Sequence, residues 1–263
     1  MSKRMSIEEY ARKAAEKLGG EYKEVEKANG IIKHGIVLPS DSEMHPTVYV
    51  DDDYKNRVRY PSFVKKVQEG LRNFVPTKNP INDIADYDGF VKARLRARLY
   101  NCKTNADVYI SAAPYGFDDL IIIPYVQLDD NASVKVTNEL VQMWGKEYDE
   151  IISTALENSK DFELTPMYEV LVSLGFPLPE DDIPLYVLSN KTRICGAITA
   201  VTQRDMLKER FGEYKVIPSS IHEVLILPGD EDTEMDELTS MITHINEKEV
   251  SPEERLGNHA YQF

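Results

Sequence analysis

Between Ser219 and Glu223 the chain sets two hydroxyls, an imidazole and a carboxylate within five residues: Ser219, Ser220, His222 and Glu223. These are the groups of an acyl-transfer site, in which a base takes the proton of a nucleophile and an acid orients the base. The spacing does not by itself make a pair. Nucleophile and base must approach to about 3 Å, whereas in an extended chain Ser220 and His222 share a face about 6–7 Å apart and Glu223 points the other way. A hydrolase would therefore need a turn here, with Ser219 or Ser220 as nucleophile, His222 as base and a distant Asp such as Asp119. The alternative is a corner whose hydroxyls bond local backbone, with His222 anchored beside it. No Gly-x-Ser-x-Gly elbow surrounds either serine, and no second His stands at zinc-protease spacing.

A second candidate is basic. Lys92, Arg94, Arg96 and Arg98 alternate with apolar residues from Val91 to Tyr100, a period that predicts a strand with one cationic face able to meet phosphates. Residues 55–103 hold twelve Lys/Arg against four Asp/Glu, and residues 229–254 hold ten Asp/Glu against one Lys, so the two regions could screen each other within one fold. The whole chain carries −14, which disfavours nucleic acid and anionic membrane as partners.

Other clusters point to no cofactor and no metal. Asp51, Asp52 and Asp53 read as a helix N-terminus or a cation site, but three adjacent carboxylates cannot all face one ion, and the Gly and Glu of a calcium loop are missing. Gly145-Lys146 lacks the upstream Gly of a phosphate loop. His34, His45, His244 and His259 are scattered, and Cys102 and Cys195 lie far apart without ligand spacing, which fits a reducing compartment.

The elements that must position these groups follow from period and punctuation. Ser6 and Glu9 form a capping box for a helix that Gly19-Gly20 ends. Asn29-Gly30 predicts a hairpin between Tyr22–Ala28 and Ile31–Leu38, followed by a strand over Thr47–Val50. Pro61–Phe74 reads as a helix ended by Pro76 and Pro80, and Leu120–Gln127 as a central strand turned by Asp129-Asp130-Asn131 into Ser133–Val136. Helices are predicted over Glu139–Trp144, Tyr148–Glu157 and Met167–Leu174, then a linker over Pro177–Asp182. The last third reads β-β-α-β-β-α: Leu185–Leu188, Ile194–Val201, Gln203–Phe211, Tyr214–Ile217, Val224–Leu227 and Thr233–Lys248.

At 263 residues and 42% apolar content the chain can bury one large core or two small ones. The class is α+β, with mainly antiparallel sheets and helices packed to one side. A single domain over 1–263 is expected, divisible into lobes at 1–137 and 181–263 joined by a helical connector at 138–180. The basic N-terminus has no apolar signal core and no run reaches membrane-spanning length, so a cytoplasmic protein is expected.

Five stretches carry a resemblance: Asp119-Leu-Ile-Ile; Val136-Thr-Asn-Glu-Leu140 with Trp144-Gly145; Tyr186-Val-Leu-Ser-Asn190 with Gly196-Ala197; Ile217-Pro-Ser-Ser-Ile-His-Glu-Val224; and the tail from Asn246, with Val250, Pro252, Glu253, Leu256 and His259-Ala-Tyr261. They span about the C-terminal three-fifths of the chain. Together they resemble an uncharacterised bacterial domain-of-unknown-function family found chiefly in Firmicute-type anaerobes. The family pattern usually has Thr where this chain has Ser189. The resemblance implies a bacterial cytoplasmic protein and supplies no catalytic residues. The leading functional expectation is a non-catalytic binding or regulatory protein acting on a protein partner, with its oligomeric state open. The serine hydrolase is the alternative, and nucleic-acid association through Lys92, Arg94, Arg96 and Arg98 comes third.

Overall fold

The computed structural model describes residues 4–40, 45–72, 81–128, 132–177, 184–229 and 235–263. Phe74, Pro76, Pro80, the Asp129–Asn131 turn, Leu178–Asp182 of the linker and Thr233 lie outside the described residues. The chain divides into two compact units, Met1–Asp83 and Ile84–Phe263.

In the first unit, α1 (Ile7–Leu18) starts where the Ser6 hydroxyl accepts the Glu9 N–H at 3.1 Å, and it ends at Gly19 in left-handed backbone. It buries Tyr10, Ala11, Ala14 and Ala15. Strands β1 (Glu21–Glu26) and β2 (Ile32–Val37) pair antiparallel across Asn29 and Gly30, both at positive φ, and β3 (Thr47–Tyr49) adds to β2. The three aspartates fill the first turn of α2 (Asp51–Lys55), where their charge complements the free N–H groups. Asp51 also accepts the His34 N–H, and Asp53 pairs with Lys66 at 3.0 Å. With α3 (Tyr60–Arg72) these elements enclose a core of Tyr10, Ala11, Ile36, Leu38, Val50 and Phe63.

The short α4 (Ile81–Ile84) crosses the boundary in sequence. Beyond it, the strand expected from Val91 begins only at Leu95. The Asp86 carboxylate accepts the Gly89 N–H at 2.9 Å and starts a π-helical turn over Tyr87–Val91 that continues as a 3-10 turn over Lys92–Arg94. Then β4 (Leu95–Asn101) buries Leu95, Ala97 and Leu99 and leaves Arg96 and Arg98 half-buried. The first sheet of this unit runs β4-β6-β5, with β7 also on β6, where β5 is Ile110–Ser111, β6 Leu120–Gln127 and β7 Ser133–Lys135. The apolar β6 is central, as its composition requires. Helices α5 (Asn138–Trp144) and α6 (Tyr148–Glu157) follow, and α6 packs on β4 through Ile151, Ile152 and Ala155.

The second sheet has the order β12-β10-β11-β9-β8, all antiparallel. Its strands are β8 (Glu163–Pro166), β9 (Tyr186–Ser189), β10 (Tyr214–Pro218), β11 (Val224–Pro228) and β12 (Tyr261–Gln262). Every residue of β10 is buried, while β11 buries Val224 and Ile226 and half-buries Leu225 and Leu227. Helices α7 (Met167–Ser173), α9 (Arg204–Phe211) and α10 (Met235–Glu249) connect the strands, and Leu238 and Ile242 of α10 pack on Ile217.

One expected strand is not a strand. Ile194–Val201 forms a 3-10 turn over Gly196–Ile198 that runs into α8 (Thr199–Thr202). Its backbone is claimed from outside: Gly196 N–H donates to the His222 carbonyl and Ala197 N–H to the Ile221 carbonyl. Small residues let it approach that closely, and tertiary bonding overrides the β-branched pattern. The α+β class with antiparallel sheets stands.

Candidate functional site

The Ser219–Glu223 stretch is the loop between β10 and β11, closed by a Ser220 N–H bond to the Glu223 carbonyl at 3.1 Å. Inside it the Ser220 hydroxyl accepts the His222 N–H at 3.1 Å. The imidazole turns elsewhere. Its Nδ1 accepts the Cys195 N–H at 3.1 Å, and its Nε2 lies 3.5 Å from the Glu254 carboxylate. An acceptor Nδ1 assigns the neutral proton to Nε2, where Glu254 faces it. The His222 carbonyl takes two further bonds, from the Ser189 hydroxyl at 2.7 Å and from Gly196 N–H at 3.0 Å.

Among the described residues no hydrogen bond joins Ser219 or Ser220 to the His222 ring, and Glu223 makes no side-chain bond. Asp119 is engaged at another place, accepting the Tyr261 hydroxyl at 2.6 Å and lying 3.8 Å from His259 Nε2. Asp118, Asp119 and His259 each present a ligand atom within 4.8 Å of the others, a spacing one cation could bridge, with Asp118 exposed and the other two half-buried.

The basic row is divided. Lys92 lines a shallow hollow with Asp88 and Glu157, and Arg94 folds over the Phe90 ring. Arg96 and Arg98 instead line a cavity of about 630 Å³ between the sheets, with Gln127, Asp161, Asn190, Thr192 and Cys195. Arg96 donates to the Ala93 and Leu95 carbonyls at 2.9 and 2.7 Å. Arg98 donates to Gln127 Oε1 at 3.1 Å and Ser133 Oγ at 2.9 Å, and its guanidinium lies 4.2 Å from the centre of the Tyr125 ring. Asp161 accepts the Lys191 N–H at 3.3 Å, and among the described residues no carboxylate ion-pairs with Arg96 or Arg98. Both cations therefore keep donors for an incoming acceptor.

Cys195 forms one wall, beneath the first helical turn. It is buried and has left-handed backbone at φ 53°, uncommon for a residue with a Cβ. The Asn190 side chain holds the approach, accepting from Ile194 N–H at 3.2 Å and donating to the Ile194 carbonyl at 2.8 Å. Burial pushes the thiol up from its ordinary range, and nearby Arg98 and the Tyr100 hydroxyl pull partly against it. Tyr100 and Tyr125 are raised too, chiefly by burial.

A model of the family of unknown function DUF5688 matches residues 4–263. The chain belongs to that family. No curated protein and no solved structure matches it significantly. Among the described residues of this DUF5688 member, no helix is long and apolar enough to cross a membrane.

Cys195, Asn190 and Glu254 were not among the sequence candidates. Glu254 lies 32 residues from His222 and reaches it through the segment after α10, whose Glu254 carbonyl also accepts the Ile221 N–H at 2.8 Å. Asn190 carries only a turn signal in the sequence, and Cys195 and Glu254 carry none.

Proposed function

We propose that the protein is a non-catalytic binding or regulatory protein, and that its second unit receives an anionic group of a protein partner between Arg96 and Arg98. The bonding of Arg98 supports this reading. Its guanidinium is half withdrawn from water, supported by an aromatic face and two neutral oxygens, and has no ion-pair partner among the described residues. A carboxylate would gain two charge-assisted bonds there, stronger than those to neutral acceptors. The −14 net charge repels an approaching anion on average, and salt screens both that field and the pull of the two arginines over a Debye length of about 8 Å, so recognition is short-ranged. A nucleic acid, anionic along its whole length, suffers most from that repulsion. A loose side chain or chain-terminal carboxylate on a protein surface suffers least.

The reading is tested by fluorescence anisotropy with a labelled, otherwise neutral peptide that carries a single glutamate, and with its glutamine counterpart. The acidic peptide should bind and the neutral one should not, and Arg98→Ala should weaken binding about ten-fold, or ~1.4 kcal/mol. Equal binding of both peptides, or an unchanged affinity in Arg98→Ala, would show that the pocket does not read charge.

A further inference from the structure

The first unit contains a second cavity of different character, about 590 Å³, where the start of α1, the end of α2 and the start of α3 meet. Its walls are aromatic. Tyr10 packs edge-on against Tyr54 and Tyr60, with ring centres 5.6 and 6.4 Å apart. Its rim is cationic, with Arg4, Arg57 and Arg59 all lining the space. Arg4 lies over the Tyr54 ring at 4.1 Å and donates to the Tyr54 carbonyl, which fixes one guanidinium at the mouth. Arg57 and Arg59 are exposed, and neither side chain has an ion pair or hydrogen bond among the described residues. Asp53, the carboxylate whose charge acts on Tyr10, is engaged by Lys66.

Two features separate this cavity from an ordinary gap between helices. Arg57 has left-handed backbone at φ 59°, in the tight turn that carries the chain from α2 to α3 along the cavity. Tyr10 is 4% exposed, yet its hydroxyl has no hydrogen-bond partner among the described residues. A buried hydroxyl left unsatisfied is costly, so the aromatic wall carries a polar defect that a plain helix contact would lack.

We infer that this cavity binds a small anion with a flat aromatic body, the ring lodging among Tyr10, Tyr54 and Tyr60 and the charge meeting Arg57 and Arg59. The volume lies within the range of small-molecule sites, and an apolar wall with a few converging polar groups is their usual composition. Arginine adds to both parts, since it pairs with carboxylate, sulfate or phosphate and stacks on rings.

The experiment titrates the full chain with anilinonaphthalene sulfonate and, in parallel, with the uncharged N-phenylnaphthylamine, following probe fluorescence. The charged probe should bind about ten-fold tighter than the neutral one. Arg57→Ala combined with Arg59→Ala should remove that advantage while circular dichroism stays unchanged, because both side chains project into solvent. Arg98→Ala, in the other unit, should leave it intact. Equal affinity for the two probes, an advantage that survives the double variant, or one lost in Arg98→Ala would each overturn the assignment.

Discussion

Cys195 is the residue whose setting departs most from its surroundings. A thiol at the start of a helical turn is commonly activated, because free N–H groups and a nearby cation favour the thiolate. Here burial opposes them, and the imidazole that could serve as base spends Nδ1 on the Cys195 backbone. The thiol should therefore stay protonated and slow to react near neutrality. In a Cys102→Ser background, needed because Cys102 is exposed, iodoacetamide followed by mass spectrometry should label Cys195 far more slowly than an unfolded control. Labelling at the unfolded rate or faster would revive acyl transfer with sulfur in place of the serine hydroxyls.

The elements around that residue are joined by one close approach. Gly196 sits where the Ile194–Val201 segment docks on the β10–β11 loop, and a Cβ there would lie 2.2 Å from the Ser189 hydroxyl, 2.5 Å from the Asn190 nitrogen and 2.7 Å from the His222 carbonyl. Two of those three atoms are backbone, so the clash cannot be relieved by rotating a side chain. Gly196→Ala should cost about 2–4 kcal/mol in urea unfolding, combining overpacking with loss of the Gly196 bond to His222. An effect below about 0.5 kcal/mol would mean that the docking is loose. The same contact explains what the sequence does and does not disclose. The α1 cap, the Asn29-Gly30 hairpin and the apolar β6 are set by neighbours in the chain, and each is legible. The helical turn after Cys195 is set by carbonyls of Ile221 and His222, some 25 residues away, so local pattern misreads it as a strand. The Arg98 pocket is hidden for the same reason: β4 supplies the alternation, but β6 and the β9–α8 loop supply the walls.

Across the whole molecule the fifteen tyrosines set the response to alkali. Tyr10 and Tyr214 are pushed up to about 12, first by burial, and Tyr100, Tyr125 and Tyr261 are raised as well. Below the ordinary value of 10.0 both folded and unfolded chains hold these protons, so the tyrosines add no pH dependence. Above it the unfolded chain releases protons that the folded chain keeps. Stability then falls by up to about 1.4 kcal/mol per pH unit for each retained proton. Thermal midpoints should be flat up to the ordinary tyrosine range and drop steeply from there towards about 12. A flat profile across that interval would mean that the rings ionise without unfolding.

The placement of β12 has a consequence for how the polypeptide is made. It lies on the outer edge of β10, while Tyr261 bonds Asp119 across 142 residues of sequence and packs with Phe263 around Phe117. Contacts that close such long loops form late and slowly. The first unit draws its core from residues 10–64 and can assemble while the ribosome is still translating the second. The second unit must wait with β10 open on one side until Tyr261 has left the exit tunnel. For that interval a strand whose every residue is buried in the finished fold stays partly uncovered, and the nascent chain there needs a chaperone.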